Sequence, residues 1–221
     1  MLVRDLVDLL VPPVCLACGA PGRDLCAACR RALPWLDGPR CARCGLPGRC
    51  GTRCPAAGHA YRFAWAPLAH GGPARALVSA LKFRRATAAA GVLGAAIAAT
   101  APAALLRDAT LVPVPPHPGR RRQRGIDHAA LLAEAVACRT GRPVAHSLRR
   151  EHDGAHQLGA GRDERLRAGR IAVAVVGTPG DRVVLIDDVH TTGATLDACA
   201  RSLNTGGVVS VGALTGVRTL R

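Results

Sequence analysis

Apolar positions recur at different intervals along the chain, and each interval predicts an element. Ala74, Leu77, Val78 and Leu81 repeat at helical spacing, residues 91–99 do the same, and residues 129–137 set Leu131, Leu132 and Val136 on one side of a third helix. Residues 111–115 read as a strand ended by prolines. Residues 183–186 form an unbroken Val-Val-Leu-Ile run of the kind a buried parallel strand carries. Residues 194–203 read as the helix after it, and residues 208–214 as another strand. Strands alternating with helices predict an α/β domain on a mostly parallel sheet. The longest uncharged run, residues 86–106, has the 21 residues of a membrane crossing. Its many alanines, with Thr87, Gly91, Gly94, Thr100 and Pro102, make transfer into lipid unfavourable, so it reads as a buried helix broken near Pro102 and no membrane insertion is expected.

The α/β pattern begins only after residues 58–61. Before them lie eight of the ten cysteines, in the pairs Cys15/Cys18, Cys26/Cys29, Cys41/Cys44 and Cys50/Cys54. The opening MLVRDLVDLL carries Arg4, Asp5 and Asp8 where an export signal has its apolar stretch, so a reducing, cytoplasmic setting is expected. There, the three CxxC pairs, and Cys50/Cys54 with three intervening residues, read as metal ligands: two thiolates face one Zn²⁺ at about 2.3 Å, and two knuckles close a tetrahedral structural site. Gly19 and Gly45 directly follow the second cysteine of a knuckle and favour the tight zinc turn over an iron–sulfur site. Pairing in sequence order makes one zinc tetrad of Cys15, Cys18, Cys26 and Cys29 and a second of Cys41, Cys44, Cys50 and Cys54; crossed pairing is compatible with the same spacings. No repeat longer than the CxxC unit stands out. His59 is read as a surface histidine, and Cys138 and Cys199 as small buried residues. The expected organisation is a zinc-binding unit at 1–58 and an α/β domain at 59–221.

Most of the chemistry lies in residues 183–195. A buried strand runs into Asp187 and Asp188, a Thr191-Thr192-Gly193 turn follows, and a helix begins. Ligands of α/β sheets bind where parallel strands end. Adjacent carboxylates are costly unless they meet hydroxyls or a cation, which suits the two hydroxyls of a ribose held beside Mg²⁺. The hydroxyls of Thr191, Thr192 and Thr195, with the N–H groups of a helix N-terminus, suit a phosphate monoester. Other nucleotide folds are excluded on residues, since neither GxxxxGK[ST] nor GxGxxG after the first strand is present.

This segment resembles the phosphoribosyltransferase signature, a hydrophobic strand followed by Asp-Asp-x-x-Thr-Thr-Gly-x-Thr, across the whole loop. More narrowly, the cysteine knuckles followed by Leu81-Lys82-Phe83, Val112-Pro113-Val114-Pro115, the arginines of 120–125 and this loop resemble the ComF family over nearly the whole chain. The resemblance implies a type I phosphoribosyltransferase fold, with helices on both faces of the sheet, behind a small zinc ribbon. It implies that 5-phosphoribosyl-1-pyrophosphate (PRPP) binds with Mg²⁺, its ribose hydroxyls on Asp187 and Asp188. Val189, His190, Thr191, Thr192, Gly193, Ala194 and Thr195 would then cradle its 5′-phosphate. Arg120, Arg122, Arg124 and Gly125 fall on the pyrophosphate side or contact DNA, as does Lys82, the only lysine in the chain. Arg150, Gln157 and Arg165 match the family's flexible loop. That lid also departs from the family at His152, Gly154 and Ala168, and Ile126-Asp127-His128 departs in the stretch before it, so ligand binding is expected ahead of turnover. Asp127 and His128 offer a base for an incoming nucleophile, and His117 and His190 are read as polar surface within reach of a phosphate.

Charge adds a partner class without choosing it. Thirty basic residues against fifteen acids give +15, and residues 62–124 hold ten basic residues and one acid. Eight zinc-bound thiolates and two Zn²⁺ lower the total to about +11. Two functions follow from the resemblance. One is Mg²⁺-dependent transfer of phosphoribose to an unknown acceptor with release of pyrophosphate. The other is a non-catalytic, single-stranded-DNA-binding component of the competence machinery that takes up DNA, with a competence helicase as partner. Aromatics are 2% of the chain, so DNA affinity would be ionic and salt-dependent. Trp35, Tyr61, Phe63 and Trp65 flank the cysteine segment and are expected to pack the two units together.

Overall fold

The structure, a computed structural model, describes residues 13–83, 86–116, 126–151 and 171–220. In chain order the elements are α1 Ala27–Arg31, β1 Ala64–Trp65, β2 Leu68–Ala69, α2 Gly72–Leu81, α3 Ala86–Thr100, α4 Ala103–Leu106, β3 Thr110–Pro113 and α5 His128–Thr140. They continue with β4 Leu148–Arg150, β5 Val173–Val175, β6 Arg182–His190, α6 Ala194–Thr205 and β7 Ser210–Arg218. Five strands form one parallel sheet in the order β1-β7-β6-β3, with β2 continuing the edge along β7. Strands β4 and β5 form a separate antiparallel pair.

The central strands are apolar on both faces because both faces are covered. Along β6, Val184 and Ile186 enter a cluster with Leu77 and Leu81 of α2, Leu93 and Ile97 of α3, and Leu132 of α5. Val183 and Leu185 point the other way, into a cluster with Leu196, Cys199 and Leu203 of α6. The sheet is therefore a middle layer with helices on each side. Helix α3 ends before Pro102, as its sequence predicts, and among the described residues no helix is long and apolar enough to cross a membrane. On α5 the buried stripe is Ala129, Leu132, Ala133 and Val136, and Leu131 is only partly buried. Cys138 falls two residues past the end of that stripe, pointing away from it, and is exposed; only Cys199 is buried as expected.

The strand β6 is longer than its apolar run. It continues through both acids to His190 because β7 keeps supplying partners: Asp187 pairs with Thr215, Val189 with Val217 and His190 with Arg218. The two acids thus lie within an ordered strand rather than after it.

In the cysteine segment the chain repeats itself. Cys15-x-x-Cys18-Gly19-x-Pro21-Gly22 and Cys41-x-x-Cys44-Gly45-x-Pro47-Gly48 fold alike. In each, the first cysteine N–H donates to the carbonyl five residues on (Cys15 to Ala20, 2.7 Å; Cys41 to Leu46, 2.8 Å). The glycine after the second cysteine donates back (Gly19 to Cys15 and Gly45 to Cys41, both 2.8 Å), with φ of 78° and 72°. The repeat is longer than the bare CxxC unit, and its signal was the shared Gly-x-Pro-Gly tail.

Candidate functional site

The thiols gather in sequence order, not crossed. Cys15, Cys18, Cys26 and Cys29 form one group and Cys41, Cys44, Cys50 and Cys54 the other, all sulfurs of a group lying within 4.8 Å of one another. A tetrahedral ion at about 2.3 Å from each sulfur spaces the sulfurs at roughly 3.8 Å. The separations Cys18–Cys26 (3.7 Å), Cys41–Cys54 (3.8 Å) and Cys44–Cys50 (3.5 Å) match that tetrahedron. Burial pushes the Cys15 thiol up, but the N–H groups of Cys26, Cys18 and Ala17 outweigh it and bring it down to about 6. Cys41 reaches about 6 in the same way, with the N–H groups of Cys44 and Arg43 against its burial. These four-thiolate sets fit two structural zinc ions with no open position for chemistry. His59 belongs to neither group, and it is not a free surface residue: its Nδ1 lies 2.7 Å from the Tyr61 hydroxyl.

The second centre is at the carboxyl end of β6. Asp187 Oδ1 accepts the Asp188 N–H at 2.8 Å, and Lys82, at the end of α2, reaches Asp188 Oδ2 at 3.2 Å. Burial, and then the neighbouring Asp188 carboxylate, hold Asp187 well above the usual carboxylate range, with Lys82 acting against them. Thr191 and Thr192 are exposed, Thr195 is half-buried, and Thr192 Oγ1 accepts the Ala194 N–H at 3.3 Å. Gly193 turns the chain into α6 with φ 85°, and a Cβ there would sit 2.5 Å from the Tyr61 hydroxyl. The first N–H groups of α6 have no intrahelical acceptor and open onto this turn.

His190 is not polar surface. It is 2% exposed, lies beneath the turn with Nε2 3.3 Å from the Tyr61 hydroxyl, and is drawn down to about 3 by burial and by the charges of Arg218 and His59. Cys199, on α6, is pushed up to about 12, chiefly by burial and then by the Asp187 charge, with Arg150 opposing them. Arg150 is the last residue of β4, in the separate antiparallel pair. Asp127 caps α5, accepting the Ala130 N–H at 3.0 Å, and so is committed to the helix end rather than to a base. Arg120, Arg122, Arg124, Gly125, Gln157 and Arg165 lie outside the described residues, as do His117, His152, Gly154 and Ala168.

Of the four aromatics, Tyr61 is fully buried, Phe63 packs against the first cluster, and Trp65 lies under the Arg40 guanidinium, 3.6 Å from its ring centre. Trp35 is 39% exposed, because it contributes its backbone, not its ring, to a bridge with Leu68. The residue missed by sequence reading is Arg218. It looks like an ordinary terminal arginine, but it is 4% exposed at the end of β7, beneath the turn. Nothing in the sequence marks it, because its strand partner His190 lies 28 residues away.

The family of the double zinc ribbon domain matches residues 6–58. The chain is 37% identical over 111 residues to the competence protein ComFC of Bacillus subtilis (strain 168). That match covers 49% of this chain and 44% of the relative, so the chain spans less than half the length of the curated protein it matches. Among solved structures, it is similar to the allosteric regulatory enzyme of purine biosynthesis at a TM-score of 0.37 and 20% identity, over 59% of this chain and 26% of that one.

Proposed function

We propose that the chain is a ComF-type protein, with a zinc-binding unit at 1–58 and a phosphoribosyltransferase-like domain at 59–221, that binds PRPP with Mg²⁺ at residues 187–195. The observation that carries this reading is the acid pair near the carboxyl end of a central parallel strand, two residues before a threonine-lined turn into a helix, with Lys82 3.2 Å from Asp188. Asp187 and Asp188 would hold the ribose hydroxyls, and the turn and the α6 N-terminus the 5′-phosphate. Lys82 would exchange Asp188 for the pyrophosphate, so ligand entry brings an anion to a cation already in place. Mg²⁺ supplies charge neutralisation on the diphosphate when bound. The chain's own part in transfer to an acceptor would be orientation and charge placement, not covalent chemistry. A role in DNA uptake rests on the likeness to the competence protein.

Calorimetric titration of Mg²⁺ and PRPP into the zinc-loaded protein tests the reading. Binding is expected in the wild type and loss of at least a hundredfold in affinity when Asp187 and Asp188 are both replaced by Asn. No heat at millimolar PRPP overturns it. Single-stranded DNA binding separates from this: it should survive the Asp replacements, weaken when Arg120, Arg122 and Arg124 are replaced, and fall steeply with salt.

A further inference from the structure

The second metal site and the phosphate turn are joined by one side chain. Arg218 Nε donates to the Cys44 carbonyl at 3.0 Å, and Nη1 donates to the His190 carbonyl at 2.7 Å and to the Thr191 carbonyl. One planar guanidinium thus holds a knuckle of the second tetrad and the two residues that open the turn. A Lys ammonium has a single donor centre and cannot present a rigid fork to separate carbonyls in this way.

The far side of the turn is held from the same direction. Tyr61 stands between His59 and His190 and fills the space against Gly193. The segment leading from Cys54 to Tyr61 is fastened to the tetrad by Arg43, whose Nε donates to Ala56 O at 2.6 Å and Nη2 to His59 O at 2.8 Å. It is fastened to α6 by Asp197, which accepts the Ala60 N–H at 2.6 Å, and by Arg201, which donates to Gly58 O at 2.9 Å. Both ends of the turn, β6 and α6, therefore rest on residues positioned by Cys41, Cys44, Cys50 and Cys54. The first tetrad packs instead into the opposite cluster, against α2 and α3.

We infer that Arg218 is a positioning residue through which metal in the second tetrad holds the turn in its phosphate-binding shape, so that metal and phosphate ligand are thermodynamically linked. The inference rests on the proposed phosphate site. Linkage is reciprocal: if metal strengthens phosphate binding, phosphate strengthens metal binding by the same factor. A merely structural arginine would lower stability without tying the two sites together.

The test uses the full chain with both tetrads loaded. Affinities for Mg²⁺-PRPP and for ribose 5-phosphate are measured by calorimetry on the wild type, Arg218→Lys and Arg218→Met, with thermal melts alongside. Tenfold or greater weakening is expected in both variants. Zinc release to a chelator is then followed by pulse alkylation of the cysteines and peptide mass spectrometry, which reads each tetrad separately. Saturating ribose 5-phosphate should slow release from Cys41, Cys44, Cys50 and Cys54 severalfold and leave the first tetrad unchanged, and this protection should vanish in Arg218→Lys. Unchanged affinity in the variants, or release from the second tetrad that ignores ligand in the wild type, overturns the coupling while leaving the phosphate site standing. A wild type that binds neither ligand overturns the site and the coupling together. Where Arg218→Met fails to fold, the release measurement on wild type decides alone.

Discussion

His190 shows how much a single side chain depends on the strand that carries it. Read as the residue after a strand ending in two acids, it belongs to a loop; placed within β6 opposite Arg218, it is buried and held neutral. An unfolded chain protonates it near 6.5, whereas the folded protein resists until about 3. Between those values the unfolded state binds more protons, so the contribution of His190 to stability is full above the unfolded value and is lost as pH falls through the window. The slope approaches about 1.4 kcal/mol per pH unit for one proton. Urea unfolding at pH 7, 6 and 5 should therefore show the wild type losing stability more steeply than His190→Gln, and parallel lines for the two proteins would refute the neutral imidazole. The acids and threonines were legible in the sequence because their chemistry is local and consecutive. His59 and Arg218 were not, and Tyr61 was legible only as packing between the two units, since the contacts that give these residues their place join distant parts of the chain: 129 residues from Tyr61 to His190 and 174 from Cys44 to Arg218.

Elements were legible in proportion to their length. The helices α2, α3, α5 and α6 and the core of β6 have enough residues to display a period, and each lies where the apolar spacing predicts. Strands β1 and β2 are two residues long and β4 and β5 three, too few for any alternation, and all four were missed. Helix packing was hidden for a different reason: alanine and glycine carry little hydrophobic signal but permit close approach. At Gly94 on α3 an added Cβ would lie 2.7 Å from the Ala135 Cβ on α5 and 3.0 Å from its carbonyl carbon, where backbone must shift. Gly94→Ala gains about 1 kcal/mol of helix propensity but overpacks this crossing, which typically costs about 1–3 kcal/mol. The expected outcome is net destabilisation of up to about 2 kcal/mol by urea unfolding. Gly91→Ala on the same helix, where a Cβ meets nothing within 4 Å, is the control and should be stabilising.

At the scale of the whole molecule the zinc ribbon closes the fold rather than hanging from it. The segment after α1 runs antiparallel to the edge strand β2: Leu36 N–H donates to Pro67 O and Ala69 N–H to Pro34 O, both at 2.8 Å, so the sheet edge is covered. The two tetrads then divide between the faces. Cys15, Leu25 and Leu33 join the cluster under α2 and α3, and Cys44 and Ala56 join the cluster under α6. Removing the ions would free an edge strand and thin both cores at once, while reprotonating eight thiolates would return the net charge from about +11 toward the +15 of the bare sequence. Self-repulsion then adds to lost packing. Metal-loaded protein should accordingly unfold in a single calorimetric transition, and chelation should lower the whole transition by more than about 10 °C, because a loss of several kcal/mol moves a domain of this size by a few degrees for each. Added Zn²⁺ should restore it. A chelated protein that keeps an unshifted high-temperature transition would mean that the α/β layers stand without the ribbon, and that the shared clusters contribute little to their stability.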